Sequence, residues 1–271
     1  VKKYLSFFLI SLFILSCKPI AVRKYRVYRD ISLAKVQVKN VMTIGIRDDL
    51  PPFTNRNKDT DFLEGFDIDM ARLVCSEMKV VADFKVINWT NKEELLRHGD
   101  IDCIWSAYPV SQGKEADLRL TQPYIRTCYV IGVHSSSNIN SITDLDNKIL
   151  AMQTGSATVK ALEEMRRQRF RTVRDLYHKS FRFCVKELDA KNVDGIIEDV
   201  LIINNLIEKE KKPYKCLDEV LSLESYCIAF RKNDASLANR VQYILNDLEY
   251  RDLTAPISKK WFGSNILIIG K

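Results

Sequence analysis

The apolar positions of this chain fall into short runs separated by amphipathic stretches. Val41 to Ile46 and Lys148 to Met152 read as short strands, and each passes into a polar loop, Arg47-Asp48-Asp49 in one case and Gln153-Thr154-Gly155 in the other. Phe66 to Met78 places Phe66, Met70, Leu73, Val74 and Met78 on one face at helical spacing. Val80 to Ile87 reads as a strand, and Asn91 to Arg97 as a short helix opened by an asparagine cap and acids. Ser141 to Asp146 reads as a turn and Thr158 to Arg167 as a polar-faced helix. Val200 to Ile207, Leu237 to Leu248 and the Trp261-Phe262 segment complete a mixed pattern.

A weak internal repeat organises these elements. Leu96 to Ile104 (LRHGDIDCI) recurs as Leu188 to Ile196 (LDAKNVDGI), each reading as a helix end, a tight turn and an apolar strand. Strands alternating with helical patterns predict parallel α/β sheets, and two copies predict two similar α/β lobes. Ligands of open α/β sheets bind beyond the carboxyl ends of the strands. Those ends are Arg47-Asp48, Ser106-Ala107, Gln153 to Thr158 and Glu198-Asp199.

The first residues bear on the compartment. Lys2 and Lys3 precede an almost wholly apolar stretch, Tyr4 to Leu15. It is shorter than the roughly 20 residues of a membrane span and suits an export signal. Ile14-Leu15-Ser16-Cys17 resembles the lipobox of bacterial lipoproteins. Residues 1–16 are therefore expected to be a signal peptide and Cys17 to carry lipid, the one link to a membrane. Residues 17–34 are expected to be a tether to an extracytoplasmic body, with Lys18 to Asp30 polar and basic. The formal net charge is +7, without a Lys/Arg block or basic-aromatic interleaving, which argues against nucleic-acid binding. Six further cysteines show no CxxC or CxxH spacing and stand apart from the three histidines, so no metal site or cofactor is expected.

Several segments then resemble, in order, the family 3 extracellular solute-binding proteins, the polar-amino-acid receptors of ABC importers. They are Thr43 to Phe53 (TIGIRDDLPPF), Leu63 to Met70 (LEGFDIDM), Gly99 to Ile104 (GDIDCI), Pro123-Tyr124, Ile142 to Lys148 (ITDLDNK), Val193 to Asp199 and Lys260 to Gly263 (KWFG), covering roughly residues 35–265. The resemblance implies a type II periplasmic-binding-protein-like fold, with a ligand cleft between lobes joined by two hinge strands near Ile125 to Val133 and Ser225 to Arg231. Lobe 1 would comprise residues 35–128 and 226–271, and lobe 2 residues 129–225. Cys128 and Cys227 would lie on adjacent hinge strands, where a disulfide is one hypothesis.

For the site, the resemblance implies that Asp199 holds a ligand ammonium and that Phe66 covers the ligand. Leu50, Ser106 and Ala107 would line the first lobe's side, and Gln153, Ser156 and Ala157 the second's. The stretch that grips an α-carboxylate corresponds to Ser111 through Lys114, where lysine replaces the family's arginine and Pro109 replaces a hydroxyl-bearing residue. Arg47 points to an acidic amino acid, because relatives for glutamate and aspartate tend to carry a cation there. The implied partners are a small amino acid and an ABC permease, for a protein acting as a monomer. Alternatives are a ligand-sensing module, a degenerate binding lipoprotein, or a periplasmic dehydratase with Glu198 as general acid. No Ser/His/Asp constellation supports the last, so the chain is read as a non-enzyme.

Overall fold

The computed structural model describes residues 30–112, 117–168 and 174–271. The expected signal peptide, Cys17, most of the expected tether and Lys114 lie outside the described residues. Helix α1 (Ser32–Lys39) begins inside the segment expected to be tether. Asp30 anchors that end by accepting the Ser32 N–H at 2.9 Å and the Ser236 N–H across the fold.

The first lobe is built from β1 (Val41–Ile46), the small sheet β2 (Asp49–Leu50), β3 (Thr54–Arg56) and β4 (Leu63–Glu64), helix α2 (Phe66–Met78), β5 (Val81–Val86), α3 (Lys92–His98), β6 (Cys103–Pro109) and β7 (Leu118–Leu120). Helix α2 matches its predicted bounds. It starts at Gly65, whose φ of 137° and lack of a Cβ let the Pro52 and Phe53 carbonyls accept the Phe66 and Asp67 N–H groups at 2.8 and 3.0 Å. A Cβ there would sit 2.2 Å from the Phe53 oxygen, so only glycine fits.

The chain then runs along β8 (Ile125–His134) into the second lobe: β9 (Ile149–Gln153), α4 (Thr158–Gln168), β10 (Arg174–His178), α5 (Phe181–Asp189), β11 (Gly195–Asp199), α6 (Val200–Glu208) and β12 (Tyr214–Cys216). It returns along β13 (Ser222–Arg231) and ends with α7 (Ala235–Tyr250) and α8 (Ala255–Phe262).

Among the described residues the main sheet has the order β10-β9-β11-β8-β13-β6-β1-β5, with β12 on β8 and β7 on β13. β8 and β13 pair with each other from Tyr226↔Ile125 to Ser222↔Tyr129, while β8 also carries β11 and β13 also carries β6. The two long strands thus belong to both lobes, as the resemblance implied. The inner strands β1, β6, β9 and β11 are almost wholly buried, as expected where helices cover both faces of a parallel sheet.

The repeat seen in the sequence is a repeat of structure. β5-β1-β6 and β10-β9-β11 are the same parallel arrangement. In each, the second Asp of the repeated segment clamps the neighbouring strand. Asp102 accepts the Thr43 N–H at 2.8 Å and returns its own N–H to the Thr43 carbonyl at 2.7 Å; Asp194 does the same with Ile149, both at 2.8 Å.

The hypothesised Cys128–Cys227 disulfide is not formed. Cys128 lies opposite Leu223, four positions along β13 from Cys227. At about 3.4 Å rise per strand residue that separation exceeds disulfide reach. Cys227 is fully buried, with its thiol directed at the Tyr108 carbonyl.

Candidate functional site

The superposed repeat brings the predicted residues into register. Pairing each clamping Asp with its partner strand makes Arg47 the counterpart of Gln153, Ser106 of Glu198, and Ala107 of Asp199. Arg47, Gln153, Glu198 and Asp199 lie at or just past the carboxyl ends of their strands, Ser106 and Ala107 lie within β6, and Arg47 and Gln153 face the gap between lobes. There Arg47, Asp49 and Trp89 from lobe 1 and Gln153, Lys179 and Ser180 from lobe 2 line a cavity of about 270 Å³. That is near the lower end of the roughly 300–1,000 Å³ range of small-ligand sites. A larger concavity of about 700 Å³ lies on lobe 1 around Arg97, Asp117 and Arg231, away from these strand ends, and holds none of the predicted residues.

On the lobe 1 wall, Arg47 is only 5% exposed. Its Nε is 3.1 Å from an Asp49 oxygen, its guanidinium carbon is 5.5 Å from the centre of a Trp89 ring, and its Nη2 has no partner. The Arg47 N–H donates to the Ser106 hydroxyl at 3.2 Å, and that hydroxyl is 2.7 Å from the hydroxyl of Thr54. Ala107 has a φ of 46°, a conformation a non-glycine residue holds only at a cost. Its N–H donates to the buried carboxylate of Asp67 at 2.7 Å, which over-determines that backbone. Burial pushes the Asp67 carboxyl up to about 7 against the pull of the Ala107 hydrogen bond. Leu50 is buried within the small sheet, on β2.

On the lobe 2 wall, Gln153 donates from Nε2 to the Lys179 carbonyl at 3.0 Å, and its buried Oε1 is unpartnered. Ser156 donates back to the Gln153 carbonyl at 2.8 Å, and Ala157 packs with Tyr129 and Ala161. Asp199 is fully buried; one oxygen caps α6 through the Leu201 N–H at 2.7 Å, and the other accepts the Tyr226 hydroxyl from β13. Burial raises Asp199 to about 6 despite those donors. Burial likewise raises Glu198 to about 7, with Arg47 opposing and Asp199 and Asp49 adding to the rise.

The lobes touch across this cavity. The Ser180 hydroxyl donates to Asp49, and the buried Lys92 Nζ reaches the Gly155 carbonyl at 3.4 Å while lying 4.8 Å from a Trp89 ring centre. Burial pushes Asp49 up, but Arg47 and Ser180 together hold it below the usual carboxylate value. Phe66 sits away from the cavity wall, buried in an aromatic cluster with Phe53, Tyr124 and Phe262.

Trp89, Lys92, Lys179 and Ser180 were not among the predicted residues. They follow the outer strands β5 and β10, so the rule that located Arg47 and Asp199 applies to them as well. β10 (RDLYH) is too polar to read as a strand, which hid Lys179 and Ser180.

Residues 42–264 match the bacterial extracellular solute-binding proteins, family 3, and the chain belongs to that family. It is 24% identical over 235 residues to the ABC transporter glutamine-binding protein GlnH of Bacillus subtilis (strain 168), covering 85% of this chain and 84% of the relative. It is also 24% identical to the glutamate-binding protein GluB of Corynebacterium efficiens, over 79% of this chain and 75% of that protein. Among solved structures, Tv2483 bound to L-arginine superposes with a TM-score of 0.84 at 28% identity, covering 89% of this chain and 98% of that one. A substrate-binding protein of an ABC uptake transporter from Streptococcus pneumoniae with bound histidine gives 0.83 at 26%, covering 89% and 99%. Among the described residues no helix is long and apolar enough to cross a membrane.

Proposed function

We propose that this chain is the extracytoplasmic receptor of an ABC importer, capturing an amino acid between its lobes and presenting the closed form to a permease. The observation that carries the reading is the meeting of Arg47 and Gln153, from pseudo-equivalent strand ends of the two lobes, on one small interlobe cavity, with the buried Glu198 in the field of Arg47 and beside Asp199. Asp199 and Glu198 supply negative charge for the ligand ammonium. Arg47 supplies, through Nη2, a donor for a ligand carboxylate. A ligand touching both walls stabilises the closed arrangement by its differential affinity for it.

The sequence reading made the carboxylate at Arg47 a side-chain group, hence an acidic amino acid. Relatives named for glutamine, glutamate and cystine, and structures holding arginine and histidine, do not single out an acidic amino acid. The buried carboxylates Glu198 and Asp199 near Arg47 oppose it. The named relatives bind rather than transform, in keeping with a non-enzyme; the ancestral protein AncCDT-1, a precursor of cyclohexadienyl dehydratase, shares 21% identity and bears on the fold alone. The lobe limits at 128/129 and 225/226, monomeric action and lipid attachment at Cys17 belong to the same proposal. Isothermal titration of refolded, ligand-stripped protein against the twenty amino acids tests it. Micromolar or tighter binding of at least one is expected; silence across the panel would refute the amino-acid reading.

A further inference from the structure

On the hinge strand β13, Glu224 is buried, 6% exposed, opposite Thr127 on β8 and two residues before Tyr226, whose hydroxyl reaches Asp199. One of its oxygens accepts the Ser111 N–H at 3.2 Å and the Ser225 N–H at 2.8 Å; the other accepts the Ser111 hydroxyl. Two backbone N–H groups and a hydroxyl converging on one carboxylate form an anion cradle with charge-assisted hydrogen bonds. The chain's own carboxylate fills it. Ser111 opens the very stretch that the resemblance assigns to a ligand carboxylate.

Among the described residues three buried carboxylates gather near this cradle. The buried Tyr129 hydroxyl lies in the field of Glu224, Glu198 and Asp199 together, which adds to the upward push that burial gives its phenol. Among the described residues none of the three carboxylates has an ion-pair partner: the nearby cations Arg47 and Lys92 pair with Asp49 and Glu93. Two further buried atoms on the cavity wall are unpartnered, the donor Arg47 Nη2 and the acceptor Gln153 Oε1. A ligand completing this cleft brings one acceptor group for Arg47, an N–H donor for Gln153, and positive charge beyond a single ammonium. A second carboxylate finds the cradle occupied and meets Glu224.

The geometry points to Glu224 as a specificity-determining residue: it takes the Ser111 cradle, so the cleft accepts an amino acid with one carboxylate and a cationic side chain and refuses a dicarboxylate. This rests on the receptor reading above.

The test is calorimetric titration of the full chain in mild detergent, stripped of carried ligand, with L-arginine and L-glutamate. Wild type, Glu224→Gln and Glu224→Ser are compared, with thermal melting to check folding. Wild type is expected to bind arginine at least about tenfold tighter than glutamate. Glu224→Gln, which keeps the cradle filled but removes the charge, is expected to weaken arginine about tenfold without a gain for glutamate. Glu224→Ser empties the cradle and is expected to gain glutamate binding. Wild type binding glutamate as tightly as arginine, or an arginine-to-glutamate ratio unchanged in a folded variant, overturns the role of Glu224 and leaves the receptor reading standing. If Glu224→Ser melts early, Glu224→Gln alone decides. No binding of either amino acid by any of the three proteins overturns the proposal, and silence across all twenty amino acids removes the receptor reading with it.

Discussion

The two lobes share one framework and furnish their cleft faces differently. The Asp102 and Asp194 clamps are near copies, with matching distances to the neighbouring strand. A few residues downstream the likeness ends. Where lobe 1 has Ser106 and Ala107, lobe 2 has the buried acids Glu198 and Asp199; where lobe 1 has a paired cation, Arg47, lobe 2 has a neutral amide, Gln153. A duplicated frame keeps the backbone hydrogen bonds that hold strands together. Its strand ends, which carry little of that burden, diverge toward complementary chemistry: a cation on one wall, anions on the other.

The contrast can be tested hardest at its charged positions. Arg47→Ala leaves Asp49 buried without its cation, and breaking such a pair is expected to cost about 3 kcal/mol in urea unfolding. Gln153→Ala loses one neutral hydrogen bond and is expected to cost under about 1.5 kcal/mol. Equal losses would erase the distinction. Asp199→Ala is expected to weaken ligand binding about 30-fold, roughly 2 kcal/mol, by leaving the ammonium unpaired; unchanged affinity in calorimetry would remove Asp199 from the site.

The shared frame is tested by Asp102→Ala and Asp194→Ala. Each orphans one strand N–H and is expected to cost about 1–2 kcal/mol of stability, similar in the two lobes. A loss in one lobe only, measured by denaturant unfolding, would show the clamps to be unlike.

The smallest expected effect is on pH. Burial raises Glu198 and Asp199 to about 7 and about 6, so the folded, unliganded protein holds protons that the unfolded chain has released. Their contribution to stability is therefore full below about pH 4 and is lost as pH rises toward about 7. A bound ammonium favours the charged carboxylates, so ligand binding releases protons and affinity is expected to rise about threefold between pH 6 and 7. Calorimetry in buffers of different ionisation enthalpy reads that release directly; proton uptake would contradict it.

Much of the frame was legible because burial and periodicity coincide there. Phe66 to Met78 shows its helical face in the sequence, and the repeated Gly-Asp-Ile-Asp and Asn-Val-Asp turns mark where β6 and β11 begin. The edge strand β10 was hidden because it is half in solvent and needs no apolar run. The strand-end rule points to Arg47 and Asp199. It could not point to Glu224, which sits mid-strand in β13 and owes its place opposite Thr127 to the pairing of two distant hinge strands. Phe66 shows the converse: its segment was placed correctly, but whether an aromatic ring faces ligand or core depends on the Phe53, Tyr124 and Phe262 rings around it.

The sharing of β8 and β13 between lobes also orders biosynthesis. A nascent chain that has emerged through residue 221 already holds β8 to β12, every described strand of the lobe 2 arrangement except the shared β13. The first lobe, begun earlier, still shows the open edge of β6, because the strand that covers it arrives only with Ser222–Arg231. The lobe made first is thus the one completed last. Until then its bare strand edge is the part of the chain most in need of shelter from other edges.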